Sequence, residues 1–127
     1  MKRIFGGLLL GAALFVVAGA ASALPPKSQS VKYFDESGNL VGQQYRLCSG
    51  ISAHGGNVHT AYTITEETSC NGTPLSDEWI IPGKIVTGYV LPATTNITSA
   101  CNIAHCEGDY VPEVQNLGLW PYTPGWQ

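Results

Sequence analysis

The sequence predicts an all-β or β-dominated fold, a small disulfide-stabilised antiparallel meander with an irregular C-terminal extension. Three observations predict it. Val58, Thr60, Tyr62 and Ile64 alternate with more polar neighbours at the period of a strand. Short β-prone runs elsewhere are separated by clusters of Gly, Pro, Asn and Asp. Outside the N-terminal segment, no apolar period of 3.6 persists for three turns.

Residues 1–23 read as a secretory signal peptide, with Lys2 and Arg3, an apolar stretch through Val17, and Ala21-Ser22-Ala23 before Leu24. A spanning helix needs about twenty apolar residues, and glycines break up this shorter run. Cleavage is expected after Ala23. Leu24, not a cysteine, stands immediately after the cut, which excludes a lipid-modified signal. The mature chain would have 104 residues, with four Lys+Arg against nine Asp+Glu, a net charge of −5. That balance argues against nucleic acid and anionic membrane as partners, because phosphate affinity needs clustered cations. A secreted or periplasmic location follows, without membrane attachment after cleavage. About a hundred residues suffice for one modest core.

Residues 24–30, with Pro25-Pro26, read as a flexible leader, and residues 31–127 as a single small domain. Val31 and Tyr33 face Leu40, Val41, Tyr45 and Leu47 across Asp35-Glu36-Ser37-Gly38-Asn39, a hairpin signal. Gly38 and Asn39 tolerate the positive φ of a tight reversal, and Asp35 can cap its own turn. Residues 49–57 read as a loop and Val58–Ser69 as the third strand, an antiparallel neighbour of the second. Trp79-Ile80-Ile81, Ile85-Val86 and Tyr89-Val90-Leu91 suggest two or three further short strands. Ala93 to Ser99 is a polar stretch, Cys101 to Cys106 a compact loop or single helical turn, and Gly108 onward a long coil.

All four cysteines, Cys48, Cys70, Cys101 and Cys106, lie in the mature part. An even number in an oxidising compartment reads as two disulfides. Of three possible pairings, Cys48–Cys70 with Cys101–Cys106 joins near neighbours and is favoured; the other two stay open at this point. A loop of some twenty residues closed in this way contributes about 3 kcal/mol in the chain-entropy model.

The run Tyr33-Phe34-Asp35, Gly38-Asn39-Leu40-Val41-Gly42, Cys48-Ser49-Gly50, Thr60-Ala61-Tyr62 and Cys70 resembles a group of small secreted bacterial proteins carried as a domain of unknown function. The resemblance covers about Val31 to Gly72. It implies the Cys48–Cys70 pair and a β-rich fold, and brings no activity with it.

Zinc is the sharpest chemical alternative, with Cys101, His105 and Cys106 close together and His54 or His59 as a fourth ligand. A secreted C-x4-C is more often a disulfide, so neither metal nor other cofactor is expected. Nothing in the sequence fixes the histidines beside a nucleophile and an acid, and no catalytic residue is assigned. Glu66-Glu67 and Asp77-Glu78 are adjacent pairs that point to opposite faces of a strand, which reads as a solvated edge rather than a dyad. Glu107 and Asp109 lack a calcium-loop pattern.

The C-terminal Leu119-Trp120-Pro121-Tyr122-Thr123-Pro124-Gly125-Trp126-Gln127 places Trp120, Tyr122 and Trp126 among two prolines. Such a segment either covers an open sheet, the favoured reading, or offers an aromatic surface to a protein or glycan partner. The function expected is non-catalytic. An extracytoplasmic binding module comes first, then a secreted effector or inhibitor, then a small hydrolase or zinc protein.

Overall fold

The computed structural model describes residues 25–71, 86–106, 118 and 120–127. The segment read as a signal peptide, the run Trp79–Ile81 and residues 108–117 and 119 of the coil from Gly108 lie outside the described residues.

The described chain is β-dominated: β1 (Lys27–Phe34), β2 (Leu40–Arg46), β3 (Ser52–Gly56), β4 (Tyr62–Ser69), β5 (Val86–Val90), α1 (Ile97–Ala104) and β6 (Thr123–Pro124). The strands form one antiparallel sheet in the order β5-β4-β1-β2-β3-β6. Strands β1, β2 and β3 follow one another as a meander, and β4 returns to the free side of β1, a Greek-key order.

The β1–β2 hairpin closes as its residues dictate. Asp35 Oδ1 accepts from the backbone of Ser37 and Asn39, each at 2.9 Å, and Oδ2 from Asn39 Nδ2 at 3.0 Å. Gly38 takes φ +83°, open to glycine at no steric cost. Thr94 Oγ1 donates to Glu36 O at 2.8 Å, which ties this turn to the approach of α1.

Three expectations are corrected. The first strand begins at Lys27, so the segment read as a leader contributes its end to the central strand, hydrogen-bonded between β2 and β4. Its polar residues suit that place because Ser28 and Ser30 are buried with partners: Ser28 Oγ donates to Thr68 O and Gln43 Nε2 donates to Ser30 Oγ at 2.7 Å. The stretch read as a loop holds β3, a strand of small residues with no propensity to announce it. The third predicted strand pairs with β1 rather than β2, and begins at Tyr62.

The pairing of β4 with β1 explains the cysteines. Both β2 and β4 run antiparallel to β1, hence parallel to each other, and their ends arrive together at the start of β1. Strands flanking a third lie roughly 10 Å apart. Just beyond them Cys48 and Cys70 are joined, with Cα atoms 5.5 Å apart, across the entry of β1, where Cys70 N–H donates to Pro26 O at 3.0 Å. Cys101 and Cys106 form the second disulfide.

Alternate residues of β1 set the two faces. On the inner face Phe34, Ile64 and Val86 pack against Ala100, Cys101, Ala104 and Cys106. Each fully buried Phe, Ile or Val contributes about 1.5–3 kcal/mol. Helix α1 was not expected at this length. Asn96 caps it by accepting from Ser99 N–H at 2.8 Å, and Ile97, Ala100, Cys101 and Ala104 follow a helical period too short to stand out. It ends at His105 in the left-handed region, φ 51°.

At the centre of this face Lys32 Nζ lies 2.8 Å from Glu66 Oε1, the side chains only 1% and 5% exposed, and donates to Ala104 O. The adjacent Glu67 points to the outer face and pairs with Lys27, accepting from Thr87 Oγ1 as well. Glu66-Glu67 is therefore no solvated edge: β4 is an interior strand.

The hydrogen bonds from Asn39 and from the turn backbone hold the Asp35 carboxyl below its ordinary 3.8. A depressed carboxylate pKa contributes stability above the unfolded value, which is lost as pH falls through the folded one. Asp35→Ala should lower Tm at neutral pH and flatten the decline below about pH 4. Thermal melts of both proteins across the acid range check this; parallel curves contradict it.

Candidate interaction site

The C-terminal segment forms a strap around the edge of β3. Trp120 lies on the inner face, where it joins Leu47 against Tyr45 and Ala53. Thr123 and Pro124 then pair with His54 and Ala53 as β6, and Gly125 N–H donates to Ser52 O at 2.8 Å. The last residues cross to the outer face. There His54 Nδ1 meets Gly125 O at 2.7 Å, Gln127 N–H donates to Gln44 Oε1 at 3.1 Å, and the Arg46 guanidinium stacks 5.1 Å above the Trp126 ring. A carbonyl only accepts, so His54 carries its proton on Nδ1 in this contact.

Two glycines make room for Trp120. A Cβ on Gly55 would stand 2.2 Å from Trp120 Cδ1, and one on Gly56, at φ +68°, would stand 3.0 Å from Trp120 Cε2 as well as 2.3 Å from Val41 O. The pair thus forms a slot for the indole. Gly42 plays the same part for the chain leaving β3, since its Cβ would fall 2.1 Å from Asn57 O.

The outer face is polar and aromatic. Register places Glu67, Gln29, Arg46 and Ser52 in one row across the strands, and Thr65, Val31, Gln44 and His54 in the next. Gln44 links strap to sheet, donating through Nε2 to Tyr33 OH at 2.5 Å while its Oε1 holds Gln127. Burial pushes the Tyr33 phenol above its ordinary 10.0, and the hydrogen bond from Gln44 offsets part of that rise.

Of the three aromatics singled out in the sequence, Trp120 and Trp126 are half-buried against opposite faces, and Tyr122 between them is 48% exposed. The strap therefore holds Tyr122 outward between two anchors. Arg46, the glycine slot and His54 complete this arrangement. The sequence carries no local signal for them, because their roles come from a segment some seventy residues away.

The other candidates do not converge. Cys101 and Cys106 are bonded to each other, which takes both sulfurs out of the proposed zinc set, and His105 ends α1. His59 is exposed, with its backbone N–H on Asn57 Oδ1 at 3.0 Å. Among the described residues no group of three His, Cys, Asp or Glu could hold a metal ion, and no helix is long and apolar enough to cross a membrane. Asp77, Glu78, Glu107 and Asp109 lie outside the described residues.

Residues 28–71, about a third of the chain, match the model of a family of unknown function, DUF6289. No curated protein and no solved structure matches the chain. The matched segment spans nearly all of β1 and the whole of β2 to β4, together with Cys48 and Cys70. Strand β5, α1 and the strap lie beyond it.

Filling the slot tests the strap directly. Gly55→Ala should displace Trp120, at a cost of about 1–3 kcal/mol for overpacking. Tryptophan emission should shift to the red and the urea midpoint should fall. Unchanged emission and midpoint contradict the placement of the indole.

Proposed function

We propose that the protein is exported and works by binding, presenting Tyr122, Trp126 and Arg46 on a cross-linked β-scaffold to a protein or glycan partner. The observation that carries this reading is the mounting of Tyr122. It stands exposed on a segment held at both ends, by the Trp120 slot and by the hydrogen bonds of residues 125–127. An aromatic ring fixed in place before the partner arrives loses little freedom on binding, which favours affinity. Planar rings beside a guanidinium suit the faces of sugars and the aromatic or carboxylate groups of proteins.

Export is supported by the N-terminal pattern Lys2-Arg3, apolar stretch, Ala21-Ser22-Ala23, and by two disulfides, which persist in oxidising compartments. Binding rather than catalysis is supported by the separate fates of the described histidines. His54 is engaged with Gly125 O, His59 is exposed, and His105 closes a helix.

The test uses protein recovered from the medium and the cell envelope of the producing cell. Its mass should correspond to loss of residues 1–23 and of four hydrogens. Immobilised, it should capture at least one envelope protein or soluble glycan about tenfold more strongly than an Arg46→Ala/Tyr122→Ala variant of unchanged Tm, a difference of ~1.4 kcal/mol. A chain retained in the cytosol with free thiols overturns export. Capture that is identical for the two proteins overturns the binding surface. Should the captured partner be an enzyme that loses activity, the reading narrows to an inhibitor.

A further inference from the structure

The strap and its seat are each continuous pieces of chain. Every contact described for the strap is made by residues 120–127, and each falls on residues 44–56 of β2, β3 and the turn between them. The seat is specific, an indole slot over Gly55 and Gly56 followed by a strand edge. That edge needs a cover, since β3 (SAHGG) carries no lysine or proline of the kind that shields exposed strands.

We propose that this edge of β3 is a docking groove for the C-terminal segment of a second copy, and that two copies exchange straps. In the exchanged dimer Trp120 of each copy fills the glycine slot of the other, and Trp126 of each lies over the other's Arg46. Three features favour this occupant. Exchange repeats every contact of the closed form, so the energies differ only in the connection and in the entropy of association. The connection from Cys106 to Trp120 is residues 107–119, which at ~3.3–3.6 Å per residue can reach roughly 45 Å. Neither residues 119–127 nor β3 carries a formally charged side chain, so the acidic chains do not repel each other at the groove itself. The site described above would then be completed by the partner's Tyr122 and Trp126. The proposal does not rest on any ligand for that site.

Register gives the test. His54 and Thr123 are paired across the groove, so a His54→Cys/Thr123→Cys variant can be locked there by oxidation. Trypsin cutting after Arg46 and Lys84 leaves residues 47–84 and 85–127, and each holds one natural disulfide within itself. Only the introduced bond joins the two peptides. Isotopically light and heavy full-length chains are mixed at a series of concentrations, incubated, oxidised and digested. Exchange predicts light–heavy linked peptides, rising with concentration towards about half of all links for free pairing. Light–light and heavy–heavy links alone, at every concentration, overturn it. Light scattering on the unsubstituted chain provides an independent reading. A dimer fraction that rises with concentration and is lost in Trp120→Ala supports the exchange, and a monomer throughout overturns it.

Discussion

The buried contact of Lys32 with Glu66 and with the carbonyl of Ala104 is the interaction on which the rest of the structure depends. Moving an ion out of water costs several kcal/mol even after relaxation, and the cost is met only where the partner and the remaining hydrogens are well placed. Lys32 is on the central strand, Glu66 on its neighbour, and Ala104 is the last residue of α1. The final carbonyls of a helix lack partners within it and carry partial negative charge, so an ammonium there satisfies both the hydrogen bond and the dipole. One side chain thus sets the register of β1 against β4 and fixes where the helix ends over the sheet.

Around this centre the chain is closed by means that a small core requires. The Cys48–Cys70 bridge gathers the ends of β2 and β4 in front of β1, and the second bridge closes the end of α1. Two covers then divide the inner face. Helix α1 lies over Phe34, Ile64 and Val86, and Trp120 lies over Tyr45 and Ala53. Both covers come from outside the segment that matches the family model. That segment supplies the four inner strands of the sheet, both charges of the buried pair and the glycine slot, while the rest of the chain supplies the two edge strands and what fills and caps them.

The hairpin was legible because its turn chemistry is local: Asp35, Gly38 and Asn39 act within five residues. The alternation of Tyr62 and Ile64 was legible for the same reason, and cysteine spacing was enough to favour the pairing found. What escaped depends on distant partners. Ser28 and Ser30 look like leader residues until Thr68 and Gln43 are brought beside them. Glu66 looks like half of a solvated pair until Lys32 faces it across the β1–β4 ladder. Strand β3 has almost no side chain by which to be recognised, since Gly55 and Gly56 are small to admit Trp120. Two turns of helix, with three polar residues among eight, fall below what a periodicity can reveal. For the site, the aromatic segment itself stood out, but Arg46 and His54 gained their roles only from the path of the strap.

A double-mutant cycle on the buried pair tests the central claim most directly. Urea unfolding of Lys32→Met, Glu66→Leu and the double variant gives three free-energy changes. Each single substitution should cost about 3–5 kcal/mol, because it leaves the other charge buried alone, and the double variant should cost less than either. Single losses below about 1 kcal/mol that simply add would contradict the account, since the charges would then be independent and solvated.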